Sequence, residues 1–318
     1  MTDISPPQRF WLKNRCVHLS LLIFMAYTKL NFSKKVTRFD NYLSPITPAC
    51  KTRELPQQLE HRHPTLYGDP HQPQGLVTTW TNALHPHALY FAGYVDPTSS
   101  NFTSISQQIL TDVTQQALSG HHQSLITRDF APQHPFHLWL TKHEFHLIRT
   151  TYLPQLTLTT TGLPDAHATV LSAAQVLANP KLCQQLSAWA YQDYAQTHLN
   201  NPVISQSPEA WQARIFRDQI LEAPLALMVN EHLEAWLFSF ADSPTSVAIA
   251  WPGERHSGQL DHLLPVILNW LQRHFHTLAG EFDTTDPLAM HLQSRLPFPP
   301  TAAYMTYQRQ LPISNKRI

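Results

Sequence analysis

The chain has only three cysteines in 318 residues, Cys16, Cys50 and Cys183, an odd number and far apart. A disulfide framework is therefore excluded as the source of stability, and a reducing, cytoplasmic setting is expected. Charge of one sign is missing too. Lys+Arg and Asp+Glu stand at 22 each, so no global field draws the protein to nucleic acid or an anionic membrane. Nor is there a long apolar run. The stretch VHLSLLIFMAY, 17–27, follows Lys13 and Arg15 but is too short to cross a bilayer and lacks a small-x-small cleavage pattern. Residues 1–35 are expected to be an N-terminal extension or disordered arm, with the start at Met1 or Met25 and no stable membrane insertion.

Histidine is abundant, at 20 residues. The pairs His61/His63, His85/His87, His121/His122 and His143/His146 contain no His-Glu-x-x-His and gain no support from paired cysteines. Surface and satisfied core histidines are the expectation, and no metal.

Hydrophobic residues make up 42% and aromatics 10%, enough for more than one core at this length. Two stretches, 91–156 and 247–311, run through one series of elements: strand, loop, long amphipathic helix, strand, short helix, strand. In the second, VAIAW at 247–251 alternates as a strand. Leu260, Leu263, Leu264, Ile267, Leu268 and Leu271 then form an apolar helical face. In the first, LYFAGYV at 89–95 precedes Ile105, Ile109, Leu110, Val113 and Ala117 at similar spacing. Upstream, 225–229 and 233–240 flank Asn230-Glu231-His232 as a hairpin. Residues 179–198 read as a helix, GLVTTWTNA at 75–83 as a strand, and the Pro-rich 64–73 as a loop. The pattern gives an α+β fold of two duplicated domains, each a mostly antiparallel mixed sheet flanked by helices. The boundaries are expected at 36–155 and 156–318.

Two motifs carry chemistry. In EFDTTDPLAMHLQSRLPF, 281–298, Glu281-x-Asp283 ends a strand and Asp286 is placed to cap a helix. Pro287 stands at its first position, where the missing N–H is harmless. Earlier, WPGERHSGQL at 251–260 gives Arg255-x-x-Gly258-x-Leu260 between a strand and a helix. Backbone N–H groups at such a helix start, with its dipole, favour a phosphate, and Gly258 permits close approach. Pro265 should disturb this helix, since it removes a hydrogen bond at about 3 kcal/mol.

Together the two motifs resemble the GCN5-related N-acetyltransferase (GNAT) family. Glu281, Asp283, Ala289, Leu292 and Phe298 match its second motif in register. Asp286 stands for the usual Asn, Gln293 for the Tyr and Pro297 for the Gly. The resemblance implies acetyl-CoA as co-substrate, held by Ile249, Ala250, Trp251, Arg255, His256, Ser257, Gly258, Gln259 and Leu260, with Asp286 and Ala289. It implies a primary amine as acceptor, attacking the thioester directly. An amine of pKa near 10.4 costs about 4–5 kcal/mol to present neutral at pH 7, so a general base or a water chain must help remove its proton. Glu231, Glu234 and Glu281 are the candidates, with Glu231 first. Tyr304 or Tyr307 could replace the acid missing at Gln293. The first half has Asn101-x-x-Ser104-x-Ser106 in the phosphate loop, Leu140 at the Tyr position and Glu144 at the Gly position, which reads as a degenerate copy. The alternative is a GNAT-like module without catalysis that binds acyl-CoA or a protein partner. Monomer and homodimer both stay open.

Overall fold

The computed structural model describes residues 64–69, 71–159 and 169–312; the N-terminal extension, Met25, Cys16 and Cys50 lie outside them. The first half contains β1 (Thr65–Asp69), β2 (Gln72–Thr81), β3 (Ala88–Val95), α1 (Phe102–Ser119), β4 (Ser124–Phe130), α2 (Pro135–Thr141), β5 (His146–Tyr152) and β6 (Gln155–Thr157). The second contains β7 (Thr169–Ser172), α3 (Ala173–Leu177), α4 (Pro180–Thr197), α5 (Pro208–Ile215), β8 (Pro224–Val229), β9 (His232–Ser243), β10 (Ser246–Glu254), α6 (Gln259–His274), β11 (Thr277–Gly280), β12 (Phe282–Asp283), α7 (Pro287–Arg295) and β13 (Tyr304–Gln310). The fold is α+β, with two mostly antiparallel sheets flanked by helices. The stretch expected as a loop at 64–73 is instead an antiparallel hairpin, with Thr65 opposite Val77; Gly68, at φ +94°, supports the irregular register there.

The strand orders are β1-β2-β3-β4-β13-β5-β12 and β6-β11-β10-β9-β8-β7. The halves thus exchange strands. The last strand of the chain, β13, inserts between β4 and β5 of the first half, antiparallel to both. In return β6 pairs with β11, and β5 pairs with β12. Pro154 separates β5 from β6, and Glu281 separates β11 from β12, so both chains bend where they pass from one sheet to the other.

Each sheet packs a core beneath its helices. Phe91, Ile109, Leu125, Phe136 and Leu140 fill the first, beneath α1 and α2. Leu237, Ile249, Leu263, Ile267 and Phe282 fill the second, beneath α6 and α7. Helix α6 runs through Pro265 without a break. The missing N–H leaves the carbonyl of Asp261 without its usual helical donor, while the Asp261 carboxylate ties α6 to α7 through His291 (3.0 Å) and Arg295 (3.1 Å).

Candidate active site between the halves

In the second half β10 and β11 run parallel only from Ser246 opposite Thr277 to Ile249 opposite Gly280. Beyond that the strands part, leaving one edge of β10 uncovered by β11. The register of β10 against β9 slips between Ala250 and Gly253, with Trp251 at φ +52°. This bulge contains Ile249, Ala250 and Trp251, which were expected to help hold acetyl-CoA. Ile249 points into the core, and the Trp251 ring packs against Trp211, Phe238 and Phe240. What the segment can offer a ligand is therefore its backbone.

Gly258 caps α6 in the left-handed conformation, φ +89°, and a Cβ there would meet nothing within 4 Å. The position needs glycine for its backbone, and the space beside it is open. Its neighbours are more committed than the sequence implied. Arg255, expected on phosphate oxygens, bonds Asp193 of α4 at 2.5 Å and lies over the rings of Trp189 (4.8 Å) and Trp236 (4.7 Å). Two aromatic faces and a carboxylate hold the guanidinium, and these contacts fasten α4 to the sheet. His256 pairs with Glu234 at 2.5 Å, and the Leu260 N–H donates to the Glu254 carboxylate at 3.0 Å. Ser257 is exposed and Gln259 half-buried.

Asp286 does what its position indicated: its side chain accepts from the N–H groups of Leu288 and Ala289, both at 3.0 Å, and burial raises its pKa. Ala289 is buried on the α7 face. Gln293 is half-buried on α7, with its carbonyl accepting from the Leu296 N–H. The helix stops there because Pro297 forces Leu296 into extended backbone. Glu231 is exposed in the two-residue β8–β9 turn, where Asn230 (φ +49°) and Glu231 (φ +65°) are both left-handed. Tyr304 lies in the first half's sheet, 4.6 Å from the Phe130 ring and in one cross-strand row with Thr151 and Asp283. The structure thus spreads Glu231, Gln293 and Tyr304 over a hairpin tip, a helix and an exchanged strand.

It gathers a different group. Phe282 is buried in the second core, so the residues on either side of it, Glu281 and Asp283, project to the opposite face, toward α4. Strand β5 lies alongside. Arg149 reaches Asp283 Oδ2 at 3.0 Å, and the Thr151 hydroxyl donates to Asp283 Oδ1. Arg149 also donates to His198 Nε2 at 3.2 Å, while His198 Nδ1 faces the Tyr194 carbonyl at 2.8 Å. His85 Nδ1 sits 2.7 Å from the Asn201 carbonyl and its Nε2 2.8 Å from the Tyr194 hydroxyl. Each imidazole therefore carries one proton on Nδ1 and accepts on Nε2. Burial holds both neutral, lowering His85 to about 4 and His198 to about 3, with Arg149 adding to the effect. Burial raises the Tyr194 phenol. A cavity of about 20 Å³ opens among Arg128, Arg149, Thr285 and Thr306, room for a water.

Glu281 is the chemically distinctive member. The residue is half-buried. Burial, then the neighbouring Asp283 charge, push it up to about 7 against the opposing pull of Arg149 and Arg128. A carboxyl poised there exchanges protons near neutrality. The sequence named Glu281 but gave no sign of Arg149, Thr151, His198 or Tyr194, which arrive from distant segments. Among the described residues no group of three or more His, Cys, Asp or Glu is placed to hold a metal, and no helix is long and apolar enough to cross a membrane.

Neither a protein family nor a curated protein matches the sequence. The structure is similar to that of a GCN5-related N-acetyltransferase from Sphaerobacter thermophilus, with a TM-score of 0.51 and 12% identity over 75% of this chain and 77% of that one. A GCN5-related N-acetyltransferase from Kribbella flavida (TM-score 0.47, 12% identity, 80% and 92% covered) is also similar. So is a tandem GNAT protein from the clavulanic acid biosynthesis pathway (TM-score 0.48, 9% identity, 85% and 92% covered). With its parting parallel strands and the same order of elements in both halves, the chain has the fold of the GCN5-related N-acetyltransferases, in tandem.

Proposed function

We propose that the protein is an acyl-CoA-dependent N-acyltransferase, with one working site, in the second half. The observation that carries this reading is the position of Glu281 beside the point where β10 and β11 part, and burial, which raises its carboxyl to about 7, supports it. Acetyl-CoA is the simplest acyl donor. Its pyrophosphate would lie against the backbone from Ser257 to Gln259 at the start of α6, where the helix dipole favours anions. The thioester arm would run along the uncovered edge of β10 at Ile249–Trp251, where backbone amides can polarise the carbonyl.

The acceptor is a primary amine approaching from the α4 side, where its cation meets Asp283 and Glu281. Glu281, rather than the exposed Glu231, takes the first proton from the ammonium and passes it to solvent. The neutral nitrogen then attacks the thioester carbon; as the C–S bond breaks and coenzyme A leaves as a thiolate, nitrogen gives up a second proton through water, and the thiolate is protonated to the thiol. With Gln293 at the usual Tyr position, that proton comes from water; a thiol of pKa near 8.5 leaves without a strong acid.

Isothermal titration with acetyl-CoA tests the donor half of the proposal. The chain should bind one equivalent, and Gly258→Asp should abolish binding through charge repulsion and bulk in the open space beside Gly258. Binding of two equivalents, or none at millimolar ligand, would overturn it. For the chemistry, Glu281→Gln should keep acetyl-CoA affinity while kcat in an amine screen falls by about 10²–10⁴. An unchanged kcat would remove Glu281 from the mechanism.

A further inference from the structure

We propose that the cavity among Arg128, Arg149, Thr285 and Thr306 is a carboxylate-binding subsite, and that the acceptor is therefore an amino acid, an amine that also carries a carboxylate. That the ligand is an acceptor rests on the acyltransferase reading; the subsite rests on the cavity alone.

The lining has charge of one sign. Thr306 of β13 stands opposite Arg128 of β4 on one side and opposite Arg149 of β5 on the other. Residues directly opposite on neighbouring strands present their side chains to the same face. Tyr307 lies in the first half's core, so the row of Thr306 faces the other way, toward the end of α4. The charged residues that line the cavity are these two arginines, and His198 beside them is held neutral by burial. Arg128 lies over the rings of Tyr90 (5.6 Å) and Tyr304 (5.8 Å), which keep its guanidinium in the row.

The same cavity collects donors that lack acceptors. Arg149 meets Asp283 and His198 through Nη1, and its Nε–H is enclosed with no partner among the described residues. The hydroxyls of Thr285 and Thr306 are likewise enclosed and unpartnered there, and Thr306 is only 2% exposed. Unmet donors in an enclosed place are costly, and one shared acceptor oxygen relieves all three. The volume of about 20 Å³ admits one oxygen atom. A water fits but must point its own hydrogens somewhere. A carboxylate oxygen only accepts, and it brings the charge that two guanidiniums favour. Asn201 Oδ1 is enclosed at the same place. Turning that amide over keeps its bond to Tyr90, with the phenol donating, and offers the cavity one more donor.

Arg149 also sets the spacing. Its Nη1 side meets Asp283, where the amine was placed, and its Nε faces the cavity. The two ends of the acceptor thus lie on either side of one guanidinium, a width that a small amino acid spans.

The test is a ¹H–¹⁵N titration of the whole chain labelled at arginine Nε, with the Arg149 signal assigned by its loss in Arg149→Lys. The probes are glycine, β-alanine and 4-aminobutyrate, each paired with the amine that lacks the carboxylate: methylamine, ethylamine and propylamine. At least one amino acid should shift the Arg149 Nε–H saturably, at a concentration about tenfold or more below that of its matched amine. Thr306→Val, which keeps the shape and deletes one donor, should raise that half-saturation by about five- to tenfold. Thr285→Ala should act in the same direction, and it carries the test should Thr306→Val fail to fold. An equal response to amino acid and matched amine, no saturable response to any probe, or an unchanged half-saturation in the hydroxyl variants would show a cavity that holds only water and would overturn the proposal. The titration needs no acyl donor. A chain that binds the amino acid but never acetylates it leaves the subsite standing and overturns the acyltransferase reading, whereas acetylation of the matched amines with the same kcat/KM overturns the subsite alone.

Discussion

Helices α2 and α7 occupy corresponding places in the two halves and begin alike, His134-Pro135 in one and Asp286-Pro287 in the other. Two and three positions past the cap they differ: Phe136 and His137 in the first half, Leu288 and Ala289 in the second. The Phe136 ring packs so closely on β3 that a Cβ on Gly93 would come within 2.8 Å of it. His137 is enclosed between Asp129 (3.3 Å) and Thr127 (3.1 Å), and the His134 ring lies 4.5 Å from Tyr94. Side chains thus occupy the first half's strand junction, where the second half has a small residue and an open glycine turn. Buried bulk of this kind stabilises the first half's junction.

Removing the bulk should have the largest effect on this contrast. Phe136→Ala should destabilise the chain by about 3–5 kcal/mol, read from denaturant midpoints, without creating a second acetyl-CoA site in calorimetry. A second site would show that the first half is merely plugged.

Acid should separate the halves next. Burial lowers His134 and His137 to about 4, so on unfolding below pH 6.5 each takes up a proton that the folded chain refuses. Stability from these groups is complete above the unfolded value and is lost as pH falls toward 4, by up to about 1.4 kcal/mol per pH unit for each. Asp129, raised by burial, offsets part of this. In the second half the raised carboxyls of Glu281 and Asp286 have the opposite sign: protonation favours the folded form as pH falls. Hydrogen exchange corrected for intrinsic rates should show α2 losing protection from pH 7 to pH 5 while α7 keeps it. Equal loss in both helices would contradict the contrast.

The smallest effect concerns the caps. Asp286→Ala removes a carboxylate that accepts from two N–H groups and should cost about 1–2 kcal/mol. His134→Ala removes one 3.2 Å acceptor and should cost less through its cap. Thermal melts of the pair check the order.

Much of the fold was legible because local chemistry is strong at its key points. Asp286-Pro287 marks a helix start wherever it stands, Asn230-Glu231 between apolar runs marks a hairpin, and the apolar spacing from Leu260 to Leu271 needs no neighbour to be read. The Pro-rich 64–73 stretch misled because prolines at an edge hairpin resemble those of a loop. That α4 brings Asp193, and Trp189 beside it, to Arg255 was not legible, because a linear motif does not show which distant segment arrives at the same spot.

The sequence by itself determined the element order, the helix caps, the glycine turn and the duplication, since each depends on residues within a turn or two of one another. The strand exchange, and with it the site, was decided by tertiary structure alone. Strand β13 pairs with β4 at Tyr304 and Phe130, a sequence separation of 174 (304 − 130), and Arg149 meets Asp283 at a separation of 134 (283 − 149). Hydrogen-bonding strand edges are nearly indifferent to sequence, so which edge accepts which strand follows from burial of the completed sheets. The raised pKa of Glu281 is likewise a property of enclosure and neighbouring charge, and neither exists until both halves have closed around it.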